Sequence, residues 1–327
     1  MAKVNQLQQW MRVGRIQTAM VTALALWTGY ITVGNMTPTV FVVLGVLGVL
    51  LHTWGFILNE VKDKEYDRRY SEASGHPLAG GDIKTSHASI VAWIAGIIAL
   101  VLSVIMFDSL IGVLFLVMSF AAGTFYNVYS KTHWWSNAYL SAWVLLITFA
   151  GASFAGSFSV YTWLIGGALS IQIFVQVIEG DMKDIKGPER TMAERMGVVC
   201  DDEGVMHYPS RFRKAINILK MIELSLVGYI VYYNIEFINI ADYAVFGVFS
   251  AIVCVFIATT TFYLTSRLDR DKIKKRSSIH ELSSVLMLGL SAYWLDYKSA
   301  IFIAVAPIVW YILINKMLHS DGLNPDI

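Results

Sequence analysis

Residues 16–59 read IQTAMVTALALWTGYITVGNMTPTVFVVLGVLGVLLHTWGFILN, a run without a single Lys, Arg, Asp or Glu, and residues 59–67 continue it as NEVKDKEYD. A hydrocarbon core about 30 Å thick is crossed by roughly 20 helical residues, so the run holds two spans joined by a turn. Four more charge-free stretches follow: Thr85 to Phe107, Ser109 to Ser130, Thr132 to Ile178 and Tyr243 to Ser266. The same ruler predicts helices over 16–35, 39–60, 88–106, 109–127, 137–157, 161–180, 216–235 and 243–266. Two apolar segments close the chain, 282–295 and 299–317, the first short for a crossing. The expectation is an all-α, polytopic membrane protein, a bundle of nine or ten transmembrane helices. In lipid only helices or closed barrels satisfy the backbone, and continuous apolar runs without alternation exclude the barrel.

Composition agrees with this. Of 327 residues, 56% are hydrophobic and only 15% charged, against about 25% charged in soluble domains, and the mean hydropathy is +0.57. Lys and Arg segregate onto one set of loops: Lys3, Arg12 and Arg15, the 61–87 loop, Lys131, the 181–215 loop and 267–276. The opposite turns near 36–38, 107–108, 158–160 and 236–242 carry none, which places the amino terminus and the charged loops in the cytoplasm. The formal net charge of +1 conceals this segregation and gives no basis for nucleic acid binding. With two cysteines, one inside a span, there is no disulfide framework or thiolate metal site. The longest extramembrane loop, 181–215, is too short for a second folded unit, so residues 1–327 read as one membrane domain. The compact chain, without a transit peptide pattern, points to a prokaryotic plasma membrane.

Two acidic clusters stand where apolar spans meet the cationic loops. Asn59, Asp63 and Asp67 are spaced four apart, on one face of a helix prolonged beyond the second span. Oxygen ligands so stacked suit Mg²⁺, which takes one or two carboxylates and completes its shell with phosphate oxygens and water. Asp181 and Asp184 share a face after the sixth span, with Glu179 near enough to join. A solvated helix end would carry charges like those of the first cluster alone; two such clusters on one membrane face argue for a shared purpose, because carboxylates at a bilayer edge are costly.

In these motifs the chain resembles the UbiA superfamily of intramembrane prenyltransferases. Asn59, Asp63 and Asp67 match its Asn-x-x-x-Asp-x-x-x-Asp motif without a gap, and Glu179 to Gly187 followed by Arg190-Thr191 stands where its second acidic motif lies. Pro77-Leu78 stands in the loop after the first motif, and Tyr126, Tyr129 and Lys131 form a similar Tyr-rich turn after the fourth span. There are two departures. His76 precedes Pro77-Leu78 where the family usually has Arg or Lys, so a permanent cation is replaced by a group that titrates near neutrality. The acids of the second motif are not spaced four apart, which leaves its register between Asp181 and Asp184, on chemistry, and Glu179 in reserve.

The resemblance implies a prenyl diphosphate, farnesyl or geranylgeranyl, held by Mg²⁺ between the two motifs, its tail opening toward membrane lipid, and a lipophilic acceptor. His76, Arg69, Lys186, Arg190 and Lys131 are candidates to bind the diphosphate and offset its charge; the four permanent cations equally serve as orientation-setting residues. Tyr126 and Tyr129 are candidates to stabilise an allylic cation through their rings. His52, seven residues before Asn59 and about 10 Å deeper on the same face, is a candidate to orient or deprotonate the acceptor; hydrogen bonding to a neighbouring helix would equally account for it. Two other readings share the pattern: a terpene cyclase acting on the prenyl diphosphate alone, and a membrane transporter. Transporters concentrate ionisable groups and helix breaks at mid-membrane, whereas here the acids sit at the edge.

Overall fold

The computed structural model describes residues 6–68, 76–130, 133–180, 182, 185, 191–235, 239–260 and 267–319. Twelve α-helices are described: α1 (Gln6–Val13), α2 (Ala19–Ile31), α3 (Pro38–Asp67), α4 (Thr85–Met106), α5 (Leu110–Tyr129), α6 (Asn137–Phe154), α7 (Val160–Gly180), α8 (Met192–Arg195), α9 (Ser210–Asn234), α10 (Ile240–Thr260), α11 (Arg270–Ser291) and α12 (Tyr297–His319). Among the described residues eight helices are long and apolar enough to cross a membrane, and Ile16–Ile31 is a shorter apolar segment. The expected span at 282–295 is not a helix of its own. Its first part belongs to α11, which begins at Arg270, and the chain then makes a 3-10 turn at Ala292–Trp294 before α12.

Sequence chemistry sets the helix ends. Thr37 caps α3, its hydroxyl accepting from the Val40 N–H at 3.3 Å, and Pro38 follows at the first turn. Ser109 caps α5 in the same way, accepting from Gly112 at 3.1 Å. The helix expected over 137–157 stops at Phe154, because Gly156 takes a φ of +114° that a helix cannot hold.

α2 lies at the centre, with Thr22 to Gly29 all buried between α3 and α6. Small residues let it sink there. A Cβ on Gly29 would overlap the Thr148 carbonyl of α6, one on Gly151 the Leu26 carbonyl of α2, and one on Gly48 of α3 the Ala23 backbone. α4 and α10 lie outside; Ile90, Ile94, Ile97 and Ile105 of α4 are exposed, which is the surface a lipid environment accepts. The termini meet. Trp310 of α12 donates to the Ile16 carbonyl at 2.6 Å, and Gln8 of α1 donates to the Met317 carbonyl at 3.0 Å.

A three-stranded antiparallel sheet, absent from the all-α expectation, stands outside the bundle: β1 (Val199–Cys200), β2 (Val205–His207) and β3 (Arg267–Asp269), with Val199 opposite His207 and His207 opposite Arg267. Asp201 closes the β1–β2 turn, accepting from the N–H groups of Glu203 at 3.1 Å and Val205 at 2.8 Å. Beneath it, Met206, Tyr208, Phe212 and Ile216 form a small apolar core with Val175 and Ile178 of α7.

Candidate active site

α3 does not end with its apolar stretch. No glycine or proline interrupts residues 56–67, and Lys64 donates to Thr85 at the start of α4 at 2.8 Å, holding the prolonged helix down. Asn59, Asp63 and Asp67 therefore project at successive turns from one side, each partly buried.

Glu60, on another side of the same helix, is 3% exposed and faces inward. Its Oε1 accepts from Arg15 Nε at 3.1 Å and Nη2 at 2.8 Å, while Oε2 lies 3.2 Å from His76 Nδ1. Burial works against charge on Arg15, but the Glu60 carboxylate outweighs it and raises the guanidinium pKa above its ordinary value, with Tyr126 and Asp63 adding at longer range. Arg15 adopts a left-handed backbone, φ +44°. Its carbonyl accepts from His52 Nε2 at 3.0 Å, and His52 Nδ1 lies 2.9 Å from the Thr22 hydroxyl. Both ring nitrogens of His52 are thus engaged within α2, α3 and the Arg15 turn.

His76 is seated by its neighbours as well as by Glu60. Leu78, two residues on, is 1% exposed in an apolar cluster with Val13, Ile57 and Ala88. The tyrosines of α5 diverge. Tyr126 is partly buried within electrostatic reach of Arg15, whereas Tyr129 stacks on Phe125 and meets His133 edge-on and Trp135 at a tilt, with Tyr139 next to them. Arg69, Lys131, Asp181, Asp184, Lys186 and Arg190 lie outside the described residues.

The Asn59 carboxamide nitrogen is buried without a hydrogen-bond partner. Beside it, Asp63 and Asp67 supply carboxylate oxygens on the same side, so the donor set is hard oxygen of the kind Mg²⁺ takes. Among the described residues no three His, Cys, Asp or Glu side chains gather tightly enough to hold a metal by themselves. α3 thus presents the side-chain oxygens of these three residues at successive turns of one side.

Around the end of α7 stand three residues that the sequence reading passed over, Lys220, Glu223 and Glu281. Glu179 lies 2.9 Å from Lys220 of α9. Glu223, one turn along α9, accepts from Ser284 of α11, and Gln176 donates to Glu281 of α11 at 2.6 Å. A signal for them existed: Lys220 and Glu223 are charges three apart within an apolar span, and such residues need partners. Arg15 and Glu60 gave a weaker one, the first lost among orientation-setting cations and the second off the four-residue spacing.

The UbiA prenyltransferase family matches residues 18–285. Among solved structures, the chain is similar to a digeranylgeranylglyceryl phosphate synthase at 16% identity, TM-score 0.64, over 89% of this chain and 99% of that one. A UbiA homolog from Aeropyrum pernix K1 gives 14% identity and TM-score 0.64 over 84% and 96%. A UbiA homolog from Archaeoglobus fulgidus bound to GPP and Mg²⁺ gives 16% identity and TM-score 0.59 over 86% and 99%. At these identities the likeness is one of fold. No curated protein matches the chain.

Proposed function

Because the chain belongs to the UbiA prenyltransferase family, we propose that this integral membrane protein transfers an isoprenoid chain from a prenyl diphosphate, farnesyl or geranylgeranyl, to a lipophilic acceptor, with Mg²⁺ as cofactor and release of diphosphate. The observation that carries this is the prolonged α3, which sets Asn59, Asp63 and Asp67 at successive turns beyond an apolar span. The Archaeoglobus homolog's complex with GPP and Mg²⁺ supports the same chemistry. The segregation of basic residues supports a site on the cytoplasmic face of the membrane.

Asn59, Asp63 and Asp67, with Asp181 and Asp184, would hold the metal, which when bound offsets negative charge on the departing diphosphate. Arg69, Lys131, Lys186 and Arg190 would add fixed positive charge for the diphosphate oxygens, and His76 would add an imidazole N–H donor. Tyr126 turns toward the Arg15 side of the site, where its ring can face an allylic cation; Tyr129 serves from the rim. His52 is assigned to fastening the Arg15 turn, since acting on an acceptor would cost it the hydrogen bonds described above.

The test is diphosphate release by the purified protein in detergent, with farnesyl and geranylgeranyl diphosphate, with and without Mg²⁺ and with a panel of lipophilic acceptors. Release that requires both Mg²⁺ and one acceptor is expected. Release without an acceptor would make the chain a cyclase or hydrolase, and neither release nor prenyl diphosphate binding under any condition would overturn the reading.

A further inference from the structure

Glu179 occupies the last turn of α7, two positions before Asp181, and its carboxylate already has a partner. Oε1 lies 2.9 Å from Lys220 Nζ, with the two side chains 4% and 1% exposed. The Glu223–Ser284 and Gln176–Glu281 hydrogen bonds tie α9 and α7 in turn to α11. Three helices are therefore cross-bridged by polar groups near the point where α7 ends. A buried ion pair adds little net stability over apolar residues of the same volume, because desolvation offsets the Coulombic gain. What it supplies is direction: α7 must be turned so that Glu179 meets Lys220.

The first motif contains the same device. Glu60, next to Asn59, is bound by Arg15 from the other end of the chain segment. Each motif helix thus carries one carboxylate neutralised inside the protein by a cation from a different element.

We propose that Lys220 is a positioning residue at the end of α7: by pairing with Glu179 it fixes the rotation of the last helical turn before the second acidic motif and withholds that carboxylate from the metal. This rests on the Mg²⁺-dependent reading above, and its test separates the two.

In a Cys200→Ser/Cys254→Ser background, Gly180→Cys places a reporter thiol at the end of α7, where an added Cβ meets nothing within 4 Å. Lys220→Met combined with Glu179→Gln removes both charges together, so that no lone buried ion remains to unfold the protein. In that background the rate of maleimide labelling at position 180 is expected to change several-fold, roughly as a displaced supporting group alters a site. The Mg²⁺ concentration that half-saturates binding of a non-hydrolysable prenyl thiodiphosphate is expected to rise about tenfold. Lys220→Arg should keep both near wild type. An unchanged labelling rate overturns the proposal, as does a changed rate with an unchanged Mg²⁺ requirement. Wild-type protein that binds no analogue at any Mg²⁺ concentration overturns the prenyltransferase reading instead, and the labelling rate then decides the positional claim.

Discussion

Arg15 reaches Glu60 with two nitrogens on one oxygen, Nε and Nη2 to Oε1 at 3.1 and 2.8 Å, leaving Oε2 for His76 at 3.2 Å. One carboxylate thereby joins the α1–α2 turn, α3 and the α3–α4 connection at His76. The contact is specific to the planar guanidinium fork, which a Lys could not reproduce.

Glu60→Ala should strip Arg15 of that buried partner and cost about 3 kcal/mol, the scale for breaking a buried pair from one side. The thermal midpoint of the detergent-solubilised protein measures it. A midpoint equal to wild type would mean that the pair exerts no hold on the rim of the site.

Asp63→Ala should lower Mg²⁺-dependent diphosphate release by about 100-fold or more, the usual scale for removing one preorganised electrostatic group, while leaving the protein inserted and folded. Chelation of divalent metal should have the same effect on the wild type. Full activity in both Asp63→Ala and Asp181→Ala would remove the metal reading.

Gly29→Leu should destabilise the bundle by about 1–3 kcal/mol or more, since its side chain would drive into the Thr148 carbonyl of α6. Gly228 of α9 is the contrast, with nothing within 4 Å of an added Cβ, so Gly228→Ala should be neutral or stabilising by roughly 0.5–1 kcal/mol. Parallel thermal scans of the two variants test the packing assignment; equal effects would contradict it.

The β1–β2 hairpin should respond to acid. The hydrogen bond from His207, then those from the Val205 and Glu203 backbones, hold the Asp201 carboxyl below its ordinary pKa. A lowered folded value means that this contribution is complete above the ordinary carboxylate range and is lost as pH falls through the lowered one. Hydrogen exchange at Val205 and Glu203, corrected for the intrinsic pH dependence, should show protection at neutral pH that fades in acid. His207→Ala should move that loss to higher pH; an unmoved profile would show that His207 takes no part.

Much of this architecture was legible because charge-free runs count spans. The four-residue spacing of Asn59, Asp63 and Asp67 also anticipated a helix that outlasts its apolar stretch, and α3 extends to Asp67. The sheet was not legible. Its third strand at 267–269 pairs with 205–207 across the whole of α9 and α10, and no local pattern announces so distant a partner. Glu60 and Glu179 were hidden differently: each stands within a motif whose other acids point to a metal, and only the positions of Arg15 and Lys220 reveal that these two are already neutralised. Nor does the sequence say which small residues will meet a neighbouring helix. Gly151 and Ala152 lie in the contact with α2, whereas Ala155 and Gly156 fall in the turn after α6.

Trp310 and Ile16 are 294 positions apart and share a hydrogen bond. During synthesis, therefore, the central helix is made long before the helix that covers one of its flanks. Until α12 emerges, the flank of α2 and the Arg15 turn that it will cover stay exposed to lipid or to whatever attends the growing chain, and the rim that Arg15 organises cannot take its final shape. Assembly of this site waits on α12, although the residues of α2 and α3 that define it were made long before.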